Sequence, residues 1–184
     1  MCIRDSHYGS YLVTYQQGIS ESYIQLNKPD SAIYYLKQTF KYPVPNLSYR
    51  SKSNILLGQA YDLKKDVSNA VRYHNAAIEN IENQYDNQKH LKVAETYASV
   101  GDYYTNNKSH QKALNYYQQA IINLVADFDN KDIFSNPILD KVSSKGDLLD
   151  MLHKKVKAFS AYWKSSGDSS NCLLYTSPSP RDRG

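Results

Sequence analysis

One spacing constrains this chain more than any other. Tyr97, Val100, Gly101 and Tyr104 are followed, after a polar break, by Ala113 and Tyr117. Large, small and aromatic positions at intervals of three and four fall on one face of a helix, and the break divides them between two helices. The frame returns upstream with Leu57, Gly58, Tyr61, Ala70 and His74, and more faintly with Ile19, Ser20, Tyr23, Ala32 and Leu36. A glycine inside a helix costs about 1 kcal/mol against alanine. At Gly58 and Gly101 the compensation expected is close approach of a partner helix. Helical hairpins that repeat in this way bury their faces only by stacking on one another.

The frame resembles the tetratricopeptide pattern, W-x2-L-G-x2-Y followed by A-x3-F, with Tyr97 for Trp, Val100 for Leu and Tyr117 for Phe. Ser20, Gly58 and Gly101 are 38 and 43 residues apart. The usual period is about 34, so the helices should be longer by one or two turns. The fold class implied is all-α, a right-handed solenoid of antiparallel helix pairs with about three and a half repeats.

The two ends read as foreign. Cys172–Ser177 back-translates as TGT CTC TTA TAC ACA TCT, whose reverse complement contains ATG TGT ATA AGA GAC A. That string encodes Met-Cys-Ile-Arg-Asp and opens a serine codon, as the chain begins. The inverted pair resembles a transposase adapter from sequencing libraries. Residues 1–6 and 172–184 are therefore set aside from the fold, and 7–171 is expected to be an internal piece of a longer gene. Within it, 7–128 reads as three repeats, 129–144 as an irregular connector and 145–171 as the first helix of a truncated further repeat.

Composition closes off several classes. Both cysteines, Cys2 and Cys172, lie in the end strings, which leaves no disulfide or thiolate metal site in 7–171. The end strings also carry three basic and two acidic residues, which brings the formal charge of +4 to about +3. This excess is dispersed and points to neither nucleic acid nor an anionic membrane, and no apolar run approaches a membrane span. Tyrosine stands out with 18 copies. Interleaved aromatics can stack on bases, but Tyr61, Tyr73, Tyr104 and Tyr117 fall where hairpins interlock, so packing is the reading taken.

In chain order, helices are expected over His7–Leu26, with Tyr8, Tyr11, Leu12, Tyr15, Ile19, Tyr23 and Leu26 inward, and from Pro29 through Phe40. Further helices follow from Asn46 to Lys64, from an Asp66 cap, from Asn87 to Asn106, and from a Ser109 cap to Phe128. In the connector, Ile133, Phe134, Ile138 and Leu139 are expected to pack on the array. A seventh helix, opened by a Ser144–Asp147 capping box and closed at Gly167–Asp168, carries Leu148, Leu149, Leu152, Val156, Phe159 and Trp163. Its partner helix lies past the cut, so the Leu149–Val156–Trp163 stripe should be partly exposed.

No catalytic arrangement emerges. His7, His74, His90, His110 and His153 have no G-x-S-x-G or cysteine beside them, and no H-E-x-x-H or comparable ligand spacing is present. The glycines are isolated, unlike those of a phosphate loop. His74 reads as a packed core residue, and His153 beside Lys154 and Lys155 as a solvated face. No cofactor or metal is expected. The first helices should line the concave side, which places Gln17, Glu21, Lys52, Gln59, Asp62, Glu95, Asp102 and Thr105 there as a candidate peptide-binding face. Its mixed charge suits a protein, a peptide or an adjacent domain of the same chain.

Finally, Ala120–Phe128, Asp132–Asp140 and Leu148–Leu152, with Lys157–Ala158 and the Gly167–Asp168 turn, resemble the repeat region of bacterial CHAT proteins. These are caspase-like proteases associated with tetratricopeptide repeats. The resemblance implies a regulatory or recognition arm ahead of an α/β protease domain. That domain's His–Cys pair has no counterpart in 7–171. The alternative is an arm of a histidine kinase or transcriptional regulator.

Overall fold

The computed structural model describes residues 3–138 and 145–166. It contains seven helices and, among the described residues, no strand: α1 (Ile3–Gln25), α2 (Pro29–Thr39), α3 (Ser48–Leu63), α4 (Val67–Gln84), α5 (Leu91–Asn106), α6 (His110–Leu124) and α7 (Lys145–Ser166). Helices α1–α2, α3–α4 and α5–α6 pair as hairpins. Each hairpin stacks on the next, and α7 packs against α6 and α5. This is the tetratricopeptide-like helical solenoid expected from the spacing.

Each hairpin turns by the same device at the same repeat position. Asn27, Lys65 and Lys108, each seven residues past the frame position held by Ser20, Gly58 and Gly101, adopt left-handed φ of 53°, 60° and 57°. The next amide then donates back to the carbonyl of Tyr23, Tyr61 or Tyr104 at 2.8, 3.0 and 2.9 Å. That bond satisfies a helix-end carbonyl and sends the chain back antiparallel. The same tyrosines stack on Tyr35, Tyr73 and Tyr116 of the partner helices, with centroids 5.7, 5.3 and 5.1 Å apart and planes within 12°. Pro29 sits in the first turn of α2, and the Asp66 carboxylate caps α4 by accepting from the Asn69 amide at 3.1 Å. Ser109 holds the cap position of α6, but its side chain makes no capping bond.

The small positions work as the spacing requires. Gly58, Ala70, Gly101 and Ala113 are all buried. A Cβ at Gly58 would lie 2.5 Å from the His74 ring, and one at Gly101 would lie 2.6 Å from the Tyr117 ring.

Four expectations need correction. Helix α1 buries Gly9, Val13, Gln17 and Ser20, and Tyr23 packs on the core as expected, but Tyr8, Tyr11, Tyr15 and Leu26 face outward. Tyrosine tolerates water through its hydroxyl, so its periodicity is a poor guide to the inner face. Helix α6 stops at Leu124, four residues early, because the carbonyls that follow turn to Lys89. Its ammonium binds the Val125, Ala126 and Phe128 carbonyls at 2.8–3.0 Å and pairs with Asp129 at 2.8 Å. Past α6, Val125 is buried and Phe128 packs on the core; in the connector Ile133 packs on the core and Phe134 meets Phe159 edge-on, but Ile138 is exposed. Helix α7 buries Leu148, Met151 and Ala158 and leaves Leu149 and Val156 exposed, as expected for that stripe, but it also buries Lys155, which the sequence placed on a solvated face. Leu139, the Ser144 cap, the Gly167–Asp168 turn and residues 172–184 lie outside the described residues.

Lys155 is the unexpected member of that set. It is no solvated side chain. Its Nζ donates to Gln118 Oε1 (2.6 Å), the Ser135 carbonyl (2.8 Å) and Asn136 Oδ1 (2.9 Å). Three acceptors match the three donors of an ammonium. Burial pushes its pKa down to about 8, against the pull of Asp132, so it is charged at neutral pH. The contact ties α7, α6 and the connector together.

Candidate functional site

A groove of about 670 Å³ runs across the first helices of the three hairpins. Antiparallel pairs stacked in one direction bring α1, α3 and α5 side by side, so the groove follows from the repeat itself. Thr14, Gln17 and Glu21 form the α1 wall, and Lys92, Glu95, Thr96 and Ser99 the α5 wall. The middle is α3, where Tyr49, Lys52, Ile55, Leu56 and Gln59 lie, with Ile81 and Tyr85 from the end of α4.

Five of the eight candidate face residues line this groove: Gln17, Glu21, Lys52, Gln59 and Glu95. Glu21 and Lys52 pair across α1 and α3 at 3.0 Å, and Glu95 pairs with Lys92 at 2.7 Å along α5. Both pairs are well exposed and contribute little to stability, so they can exchange partners with a ligand at small cost. The Glu95 carboxylate also raises the Lys92 pKa through their hydrogen bond. Gln17 is different. It is buried, and its amide nitrogen donates to the Tyr49 carbonyl and to Ser53 Oγ, both at 2.9 Å. It therefore fixes the α1–α3 spacing from below. A groove floor of Ile55, Leu56, Ile81 and Tyr85 between walls that together carry both signs of charge can take an apolar side chain flanked by polar backbone.

The other three candidates lie outside the groove. Asp102 accepts from the Tyr117 hydroxyl (2.8 Å) and from Lys154 of α7 (2.6 Å). Thr105 lies 3.0 Å from the same hydroxyl, and Asp62 accepts from Asn107 at 3.0 Å. Helix α7 thus engages the first helix of the third hairpin, where the sequence suggested open surface. That could not be read beforehand, since Lys154 and Asp102 are far apart in the chain. Tyr49 and Lys92, each nine residues before the frame glycine of its repeat, were missed although the register marks them as equivalent.

Glu82 accepts from Tyr97 Oη at 2.5 Å and so joins the α4–α5 interface. His90 caps α5 through Nδ1 and stacks on Tyr85. Among the described residues, no group of three or more His, Cys, Asp or Glu is arranged to hold a metal, and no helix is long and apolar enough to cross a membrane.

The interlocked small and aromatic positions are densest in α5–α6, and there the decisive comparison falls. Residues 94–121 match the tetratricopeptide repeat family. The tetratricopeptide match contains Glu95 of the groove, the Gly101–Tyr117 contact, and Asp102 and Thr105 beside that contact. No curated protein and no solved structure matches the chain.

Proposed function

We propose that this region is a protein-interaction arm whose groove across α1, α3 and α5 takes an extended polypeptide segment. The observation that carries the reading is the groove's composition: an apolar floor between walls that bear both signs of charge. A tetratricopeptide repeat supports a protein–protein role, and balanced charge suits a peptide better than a polyanion. The role taken is recognition, in keeping with the tetratricopeptide match. At a finer level, the CHAT resemblance makes the arm a regulatory element of a caspase-like protease encoded downstream. The intact reading frame tests that level: a His–Cys α/β domain sustains it, and a kinase or DNA-binding domain replaces it.

For the groove itself, the 184-residue chain is screened against a random peptide display library. The selected peptides are then titrated against wild type and the double reversal Lys52→Glu/Glu95→Lys. Exposed charge reversals leave the fold intact. The variant is expected to lose about tenfold in affinity or more, roughly 1.4 kcal/mol. Selected peptides that ignore the reversal would remove the groove from consideration.

A further inference from the structure

The three hairpin turns lie along one edge of the stack. Lys64 Nζ reaches from the second turn to Asp30 of the first at 2.6 Å, and Asn107 of the third donates to Asp62 beside the second at 3.0 Å. Each hairpin packs its helices on those of the next, so this edge runs across the stacking direction. A further hairpin at either end would lengthen the edge and leave it open.

Charge and apolar surface collect there together. Residues 25–31, 63–69 and 106–112, the turns and their flanks, hold Lys28, Lys64, Lys65, Lys108 and Lys112 against Asp30 and Asp66. Five lysines against two aspartates give +3, in a chain of +4. Both acids are engaged, Asp30 with Lys64 and Asp66 in capping α4. Lys28, Lys65, Lys108 and Lys112 are exposed and, among the described residues, make no ion pair. The same segments contain Leu26, Leu63 and Val67, which are 63, 37 and 58 % exposed. Among the described residues of α1–α6, every exposed large aliphatic side chain is on this edge. The opposite edge, built by 40–47, 85–90 and 125–138, carries Lys41, Lys89 and Lys131 against Asp86, Asp127, Asp129 and Asp132, a net of −1. Along the chain the turn lysines form no run, which is why composition pointed away from an anionic membrane. The fold gathers them.

We propose that the turn edge docks on anionic phospholipid bilayers, with the lysines at the headgroups and Leu26, Leu63 and Val67 in the interface. Two features select a membrane over an acidic protein. Lysine beside exposed aliphatic is the composition of an interfacial surface, where the stem lies along the acyl boundary and the ammonium stays with the headgroups. A discrete carboxylate partner favours arginine, whose fork matches it, and these three segments contain none. Each lysine near such a surface is worth about fivefold in partition. An apparent dissociation constant on the order of 0.1–1 mM lipid is expected, the range of a single weak anchor. The groove residues lie outside these segments, and the proposal does not depend on the groove reading.

Co-sedimentation of the 184-residue chain with vesicles decides it. Phosphatidylcholine vesicles with about 30 % phosphatidylserine should bind the chain at up to about 5 mM lipid, and phosphatidylcholine alone should not. Raising salt from about 0.15 to 0.5 M should release it. Lys28→Gln/Lys65→Gln/Lys108→Gln should weaken binding about a hundredfold, with an unchanged helical circular dichroism spectrum. Lys37→Gln/Lys41→Gln/Lys131→Gln removes as much charge away from the turns and should bind much as wild type does. Leu26→Ser/Val67→Ser should cost about tenfold at constant charge. The groove variant Lys52→Glu/Glu95→Lys should keep its vesicle binding. Binding without phosphatidylserine dependence, equal losses in the two lysine variants, no vesicle binding at all, or binding to poly-L-glutamate in its place would each overturn the proposal.

Discussion

The second and third hairpins solve one packing problem with different residues. In both, a glycine on the first helix leaves room for a large side chain of the second: Gly58 faces the His74 ring and Gly101 faces the Tyr117 ring. Tyr117 is long enough to pass the glycine and place its hydroxyl at the rim. There it donates to Asp102 and meets Thr105, and Asp102 in turn holds Lys154 of α7. His74 stops short. Both ring nitrogens are buried without a hydrogen-bond partner, and the ring rests against Tyr103 with centroids 4.5 Å apart. One slot is filled by shape alone. The other is filled by shape and wired to α7 through Asp102.

This difference predicts unequal responses to acid, to crowding and to loss of the hydroxyl. Burial pushes the His74 pKa from 6.5 down to about 4. Unfolding frees the imidazole to take up a proton at any pH between these values, so stability is fully present above about 6.5 and falls as pH drops toward 4. The loss is about 3 kcal/mol, because a tenfold change in proton concentration is worth roughly 1.4 kcal/mol to a group that binds the proton only when unfolded. Urea unfolding from pH 7 to 4 measures it, with His74→Tyr as the comparison. Asp62 stands four residues after Gly58, as Thr105 stands after Gly101, so an introduced hydroxyl has an acceptor, and the acid arm should flatten. An unchanged arm in that variant would show that His74 is not its source.

Crowding the two glycines should cost less but separate the slots. Overpacking costs about 1–3 kcal/mol, partly offset by alanine's better helix propensity. Gly101→Ala is expected near 2 kcal/mol, because Tyr117 is tethered at its hydroxyl. Gly58→Ala is expected near 1 kcal/mol, because the untethered imidazole can shift. Thermal or urea unfolding ranks them, and equal costs would break the comparison. Tyr117→Phe falls between the two. It keeps the ring and removes one hydrogen bond to a charged acceptor, at about 1–2 kcal/mol. Hydrogen exchange should rise in α7 beside Lys154 more than in α3–α4. No titration of Tyr117 contributes at ordinary pH, since burial, reinforced by Asp102, raises its pKa.

The fold was legible because its determinants are local and periodic. Gly58 with Ala70 and His74, and Gly101 with Ala113 and Tyr117, sit at fixed intervals along short hairpins, so pattern alone pairs the helices. The groove was legible in part. Glu21, Lys52, Gln59 and Glu95 follow from register, but Tyr49 and Lys92 were overlooked, and Gln17 turned out to be buried structure. The inner face of α1 was misread because tyrosine is equally at home inside and outside. Lys155 could not have been placed at all. A lysine beside His153 and Lys154 looks solvated until Gln118, Ser135 and Asn136 are seen to converge on it.

By itself, the sequence determined that this chain is a stack of helical hairpins, since steric fit at the small positions and αL turns at Asn27, Lys65 and Lys108 depend on neighbours within one repeat. Only the tertiary structure decided which polar side chains face solvent. It showed α7 engaging Asp102 at the third hairpin, and it left Tyr8, Tyr11 and Tyr15 of α1 exposed. The reason is range. Helix pairing is settled within some forty residues, whereas the fate of Asp102, Lys155 or Tyr15 depends on what segments far along the chain, or another molecule, bring against it.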